Sequence, residues 1–247
     1  MTPRRFTPSI TGVLAALVGL AGLAGCEATE DRDPKPIAER VVAARERMHV
    51  RYAAATAMQQ AIGIGDLDRA HSEASRIATL DEPDFLPEWR PYLDEIRGAS
   101  ERVEASGDTM TAAKTMAQLG RACARCHEAT AAKITFAPVR APSGNEMASH
   151  QWAAARMWEG VIASSDERWL AGARALAAAR LTLTAESGEL GIADDAARTK
   201  LLATRALKVA DRDERATLYG DLLATCAHCH ASIRDRVLHP QSAAVVP

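Results

Sequence analysis

The sequence ACARCHEAT, residues 122–130, has a near copy in TCAHCHASI, residues 225–233. Each copy contains Cys-x-x-Cys-His, and the two motifs use four of the five cysteines in the chain. In the first copy Cys123, Cys126 and His127 occupy positions i, i+3 and i+4. These positions lie on one face of a helix, so the three side chains are expected to project together.

The second motif has the same spacing in Cys226, Cys229 and His230. Cys-x-x-Cys-His is the attachment signature of c-type haem. Two thiols on one helix face can bond along one porphyrin edge, and the adjacent imidazole can then reach the iron. We therefore expect two covalent haem c groups, with His127 and His230 as their proximal iron ligands.

Three other interpretations of the motifs compete with haem. A thioredoxin-like dithiol is expected in a βαβ context, and no such context is visible in the sequence. A structural zinc site would require two distant motifs to converge. Disulfides within each motif would leave both motif histidines unexplained. Haem attachment accounts for the histidines and for the duplication.

The N-terminus is typical of an exported lipoprotein. Residues 1–25 have the form of a signal peptide, with Arg4 and Arg5 before a short apolar run. The sequence LAGC ending at Cys26 resembles a bacterial lipobox, which implies cleavage before Cys26 and a lipid on its sulfur; the alternative is an ordinary secretory signal. Residues 26–36 are expected to be a flexible tether. We thus expect a membrane-anchored protein in the periplasm of a Gram-negative-type bacterium.

The composition indicates an all-α protein. Hydrophobic residues make up 47% of the chain but aromatic residues only 4%, and no convincing period-2 strand pattern is present. The formal net charge of -2 argues against nucleic acid as a partner.

A long repeat predicts duplicated domains. The sequence YAAATAM at residues 52–58 resembles WAAARMW at residues 152–158, an offset of 100, whereas the cysteine motifs repeat at an offset of 103. We expect two tandem antiparallel four-helix bundles, each with Cys-x-x-Cys-His in its last helix. The expected boundaries are bundle 1 at 37–132, a linker at 133–144, bundle 2 at 145–239 and a tail at 240–247.

Apolar periodicity and capping residues place the individual helices. Ser164 stands three residues before Glu167, which predicts a capping box at the second helix of the second half. The expected helices include 36–64, 66–80, one from Asp108 to about 130, 192–209 and 212–237.

A four-helix bundle with this motif late in its last helix resembles the class II cytochromes c, the cytochrome c′ and c-556 type. The second half is also similar to a group of tandem-domain periplasmic dihaem cytochromes. The resemblance implies one-electron transfer between redox donor and acceptor proteins, rather than an enzyme. It alternatively implies binding of NO or CO where an iron position is open. A haem peroxidase ranks last, because the sequence shows no strong distal acid/base pair.

The distal iron ligands are expected on the first helix of each half. His49 and His150 lie 74 and 76 residues before the first cysteine of their motifs, so we predict two six-coordinate irons with these ligands. Met48 and Met147, at 75 and 79 residues, are the alternatives. His228, inside the second motif, is expected to face solvent.

Overall fold

The structure is a computed structural model that describes residues 36–82, 85–143, 146–179 and 192–238. All of these residues belong to one compact unit, which starts at Lys35. The expected signal peptide (1–25), the lipidation candidate Cys26, nearly all of the tether and the tail (240–247) lie outside the described residues.

The described part of the chain is helical and contains no strand, which confirms the all-α prediction. Within residues 36–82, 85–143, 146–179 and 192–238, four α-helices precede the irregular stretch that was expected as a linker, and four follow it. The helices are α1 (Ile37–Gly63), α2 (Leu67–Ala78), α3 (Arg90–Glu104), α4 (Thr109–Ala129), α5 (Glu146–Ile162), α6 (Asp166–Ala178), α7 (Ile192–Ala206) and α8 (Arg212–Leu238). Within the described ranges, none of them combines the length and apolar character needed to cross a bilayer.

Several helices begin at a side-chain cap. Asp66, Asp108 and Ser165 each accept the backbone N–H of the residue three positions on, which satisfies one of the free donors at a helix start. The expected cap at Ser164 is therefore wrong by one residue. Ser164 has a φ of 51° because it reverses the chain after α5, and the next residue caps α6.

The same turn occurs at the end of α1, and it fixes how the two halves align. Gly65 has a φ of 74° and occupies the position that Ser164 holds after α5, an offset of 99 (164 − 65). The caps Asp108 and Asp211 are offset by 103 (211 − 108). The expected offset of 100 for the first helix is thus corrected to 99. The second half carries four extra residues (103 − 99) between these two points.

The helices of each half pack in chain order, α1 on α2, α2 on α3 and α3 on α4, with α5 to α8 following the same pattern. The two helices that carry the motifs, α4 and α8, make one of the most extensive contacts in the structure. The first helix of each half also reaches across: α1 packs on α8 and α5 packs on α4. These cross contacts bring each first helix beside the motif of the other half.

Large aromatic residues fill the centre of the structure. Trp158 and Trp169 are 1% and 0% exposed, as expected for core residues, while Trp152 is half-buried. Trp158 stacks on Tyr219 of α8 with ring centroids 5.8 Å apart. The Trp169 indole N–H donates to the Ala206 carbonyl at 2.8 Å, so its polar atom is satisfied.

The contact between α5 and α6 is closest where each helix has a glycine. A Cβ on Gly160 would lie 2.6 Å from the backbone nitrogen of Trp169, and one on Gly172 would lie 2.8 Å from that of Met157. Backbone atoms of a packed helix cannot move aside cheaply, so these positions require glycine.

Gly172→Ala is expected to lower the free energy of unfolding by about 1–3 kcal/mol, because the added methyl group overpacks this contact. Gly98→Ala in α3 is the matched control, since its Cβ would meet only the flexible Arg102 side chain at 3.5 Å. The control is expected to raise stability by about 0.5–1 kcal/mol through helix propensity. Urea unfolding followed by circular dichroism measures both; an unchanged or higher stability in Gly172→Ala would contradict the packing described.

Candidate functional site

The first motif lies in the last two turns of α4, as the spacing predicts. Cys123, Cys126 and His127 share one side of the helix, where Cys126 is buried and the other two are half-buried. Two thiols and one imidazole are therefore presented together near the end of this helix.

The second motif occupies α8 at an offset of 103. Cys226, Cys229 and His230 are all half-buried, and α8 continues beyond them to Leu238. His228, which lies between Cys226 and Cys229, is exposed, as predicted. Its Nδ1 pairs with the Asp195 carboxylate of α7 at 2.8 Å.

All four motif cysteines are free thiols in the structure. Burial raises the pKa of Cys123 and of Cys226 to about 12, because the protein desolvates the charged thiolate. Burial also raises the pKa of Cys126 and of Cys229. The thiols therefore stay protonated at neutral pH, unlike the low-pKa thiol of a redox-active dithiol.

The ring of His127 has a defined hydrogen bond. Its Nδ1 lies 2.9 Å from the carbonyl oxygen of Ile162, the last residue of α5. A carbonyl can only accept, so Nδ1 carries the proton and Nε2 holds the free lone pair. Burial also lowers the pKa of His127, which favours the neutral ring. A neutral imidazole with Nδ1–H bonded and Nε2 free is the form that binds a metal.

His230 has a corresponding neighbour. Burial lowers the pKa of His230, and the carbonyl of Gly63, the last residue of α1, lies close enough to the ring to oppose this shift. Gly63 and Ile162 are equivalent by the 99-residue offset, and the two histidines by the 103-residue offset. In both motifs the histidine thus has the same neighbour, the last carbonyl of the other half's first helix.

A buried arginine lies beside the first motif. Arg51 of α1 is 4% exposed, and its guanidinium pairs with the carboxylate of Glu82, whose side chain is 9% exposed. It also donates to the sulfur of Met48 at 3.4 Å. Its positive charge opposes the desolvation that raises the pKa of Cys123 and Cys126, so it is close to both thiols. The first motif therefore has a cation nearby.

The second motif has an anion in its surroundings. Asp195 is buried, and after desolvation its negative charge is a further cause of the raised pKa of Cys226 and Cys229. The two motifs have the same ligand spacing but opposite neighbouring charges.

His150 of α5 lies near the second motif. Burial lowers its pKa, and the charge of His230 lowers it further, whereas Glu146 raises it. Its Nε2 is buried and has no hydrogen-bond partner. A buried polar atom without a partner costs free energy, so this nitrogen has the environment of a ligand atom.

Of the other predicted distal residues, Met48 lies beside Arg51 near the first motif. His49 is exposed, Met48 is half-buried and Met147 is 47% exposed. By the 99-residue offset Met48 is equivalent to Met147, and Arg51 is the equivalent of His150. The structure therefore brings only the second of the two predicted histidines close to its motif.

These residues fit covalently attached haem. Each motif offers two protonated thiols and a histidine, His127 has a free Nε2, and the second motif adds the unpartnered nitrogen of His150. In the part of the chain that the structure describes, no three His, Cys, Asp or Glu side chains converge as a site for a bare metal ion.

Sequence reasoning missed Arg51, Glu82 and the two carbonyls of Gly63 and Ile162. Arg51 is one of four arginines in α1, so the sequence did not single it out, and no sequence pattern marks a backbone acceptor. Comparisons with models of protein families, with curated proteins and with solved structures each found no match.

Proposed function

We propose that the chain is a dihaem c-type cytochrome that transfers single electrons. The observation that carries the proposal is the pair of motif sites: a backbone carbonyl fixes His127 at Nδ1 so that it presents a free Nε2 beside two free thiols, and His230 lies beside the equivalent carbonyl of Gly63 with its own two thiols. A zinc site or a redox-active dithiol does not require this arrangement to occur twice.

The residues that would hold the two haems follow from the motifs. Cys123 and Cys126 would form the thioether bonds of the first haem, and Cys226 and Cys229 those of the second. When bound, each haem supplies a one-electron Fe(III)/Fe(II) couple. The chain would supply the axial histidines and a protein shell that limits the access of water.

The fold supports this role through its repeated helices. We propose that α1–α4 and α5–α8 form two four-helix bundles, each ending in a motif helix. The extensive contact between α4 and α8 would keep the two motifs in one rigid unit. Electron exchange within such a unit would need no domain movement.

The N-terminal residues add a proposed location. We propose cleavage before Cys26, lipidation of its sulfur and attachment to a periplasmic membrane surface. Redox donor and acceptor proteins would then meet the chain in the periplasm. These proposals rest on the lipobox-like sequence alone, since Cys26 lies outside the described residues.

Binding of NO or CO is the second candidate function, and one observation favours it at the first site. Arg51 occupies the helix position that is equivalent to His150, and His49 is exposed. The first site thus has arginine at the helix position that His150 occupies in the second. If Met48 does not bind the first iron, that iron has an open position for a diatomic ligand.

The intact mass of the exported chain tests the proposal. In a host that matures c-type cytochromes, the mass is expected to exceed that of the polypeptide by two haems. Cys123→Ala/Cys126→Ala and Cys226→Ala/Cys229→Ala are each expected to remove one haem mass and leave the other. A polypeptide that carries zinc or no added group under the same conditions would refute the proposal.

A further inference from the structure

We infer that each motif histidine is held in its ligand orientation by the last carbonyl of the other half's first helix, so that the two haem sites are built jointly. The inference rests on the proposed function, because it assigns Gly63 and Ile162 as positioning residues for the iron ligands. The orientation of His127 in the first half would then depend on the second half, and that of His230 in the second half would depend on the first.

The end of α1 shows why a carbonyl is free for this purpose. The last four carbonyls of a helix have no donor within the helix. In α1 these are residues 60–63, and the Schellman-type turn around Gly65 supplies backbone N–H donors to the first three at 2.8, 2.9 and 3.1 Å. The fourth carbonyl, that of Gly63, lies close enough to the His230 ring to raise its pKa, at the turn that Arg234 of α8 also contacts.

The end of α5 repeats this arrangement. Its last four carbonyls belong to residues 159–162, and the turn around Ser164 supplies donors to the first three at 3.0, 3.1 and 3.4 Å. The fourth, that of Ile162, accepts from Nδ1 of His127. The histidine in each case completes a helix end that the turn leaves incomplete.

Each motif helix holds the same turn with a second side chain. Arg234 of α8 donates to the Gly65 carbonyl at 3.0 Å, and Glu128 of α4 accepts from the Ser164 hydroxyl. Both side chains lie within four residues of their motif histidine. The turn and the histidine therefore move together.

Each first helix consequently contacts both sites. Arg51 and Gly63 are 12 residues apart on α1, and His150 and Ile162 are 12 apart on α5, about 18 Å along a helix. One end lies beside the motif of its own half and the other holds the histidine of the opposite half. A displacement of either helix would therefore reach both sites.

Substitutions at the two turns test the inference. Gly65→Val and Ser164→Val place a β-branched residue where φ is 74° and 51°, so each should shift its turn and lengthen the histidine bond. An Nδ1–H bond to a carbonyl makes the imidazole a more basic ligand, which favours the ferric state. Weakening this bond should therefore raise the midpoint potential of that haem.

The expected effect is crossed between the halves. Gly65→Val should raise the potential in the Cys123→Ala/Cys126→Ala protein, which keeps only the second haem, and leave it unchanged in Cys226→Ala/Cys229→Ala. Ser164→Val should show the reverse pattern. Gly107→Val, in the loop before α4 with no atom within 4 Å of its Cβ, is the control and should change neither potential.

The inference would be overturned if the midpoint potential shifted only for the haem of the half that carries the substitution, or equally for both haems. If the valine variants do not fold, Gly65→Ala and Ser164→Ala should show the same crossed pattern with a smaller shift.

Nitrogen NMR of ¹⁵N-histidine in the haem-free full-length chain, with all four motif cysteines replaced by alanine, separates this inference from the proposed function. His127 should be the Nδ1–H tautomer and should lose this preference in Ser164→Val. If the exported wild type carries no haem while this tautomer pattern holds, the proposed function fails and the inferred bond stands. An Nε2–H tautomer of His127 before any substitution would overturn the inference itself.

Discussion

His150→Ala is expected to add one CO-binding site per chain and to turn the second haem high-spin, whereas His49→Ala is expected to leave both haems as in the wild type. The Nε2 atom of His150 is buried without a partner near His230, and His49 is exposed to solvent. Alanine at position 150 cannot bind iron, so the distal position of the second site would become open.

The visible spectrum of the reduced protein with and without CO measures this change, and electron paramagnetic resonance of the oxidised protein gives the spin state. Because wild type and variant are compared, the expected gain of one CO per chain does not depend on the ligation of the first haem. The Cys226→Ala/Cys229→Ala protein is the control, since it lacks the second haem and should not respond to His150→Ala. An unchanged CO stoichiometry in His150→Ala would remove His150 as a ligand, and new CO binding in His49→Ala would restore the sequence-based assignment.

The helices could be predicted from the sequence because their signals are local. The expected segments 36–64, 66–80, 192–209 and 212–237 agree with the structure to within three residues at each end. Apolar spacing and caps such as Asp108 act within one or two helical turns, so they can be recognised without knowledge of the partner helices.

The alignment of the two halves failed because it relied on alanines. The similarity of YAAATAM and WAAARMW sets the offset at 100, but alanine fits many positions of a packed helix and defines the register poorly. The register is fixed by the turns at Gly65 and Ser164, which give 99. A serine in a left-handed conformation is uncommon, so the sequence did not reveal the match.

The same shift in alignment bears on the prediction of the distal ligands. Counting residues back from the motifs assumes that no insertion intervenes, yet the second half has four more residues between the turn after its first helix and the cap of its last helix. His49 and His150 then have nearly equal distances to their motifs without being equivalent. The equivalent residue, Arg51, is of a different chemical type, and its partner Glu82 lies in a loop that no periodicity identifies.

The contacts between the halves could not be predicted from the sequence at all. A hydrogen bond from His127 to the carbonyl of Ile162 depends on where two helices end and on how they cross. The small residues that let these helices pack closely can be recognised only together with the residues they face. For example, a Cβ on Gly120 of α4 would lie 3.0 Å from the Val161 side chain of α5. Neither member of such a pair is informative alone.

Arg51→Met is expected to lower the free energy of unfolding by about 3–5 kcal/mol, because it leaves the Glu82 carboxylate buried without its partner. The two side chains are 5% and 9% exposed, so solvent cannot readily replace the lost interaction. Urea unfolding of the full-length protein gives this difference. The exposed pair of Arg205 and Glu214, 2.7 Å apart and 59% and 44% exposed, is the matched control. Arg205→Met is expected to cost only about 0–1 kcal/mol.

The double variant Arg51→Met/Glu82→Leu separates the pair from the packing around it. If the cost in Arg51→Met arises from an unpaired buried carboxylate, removal of that carboxylate should restore most of the lost stability, because apolar side chains of similar volume often replace a buried ion pair without loss. If the double variant is as unstable as Arg51→Met, the arginine stem rather than its charge supports the first site. A cost in Arg51→Met no larger than that in Arg205→Met would show that Glu82 reaches solvent and that the first motif has no buried ion pair beside it.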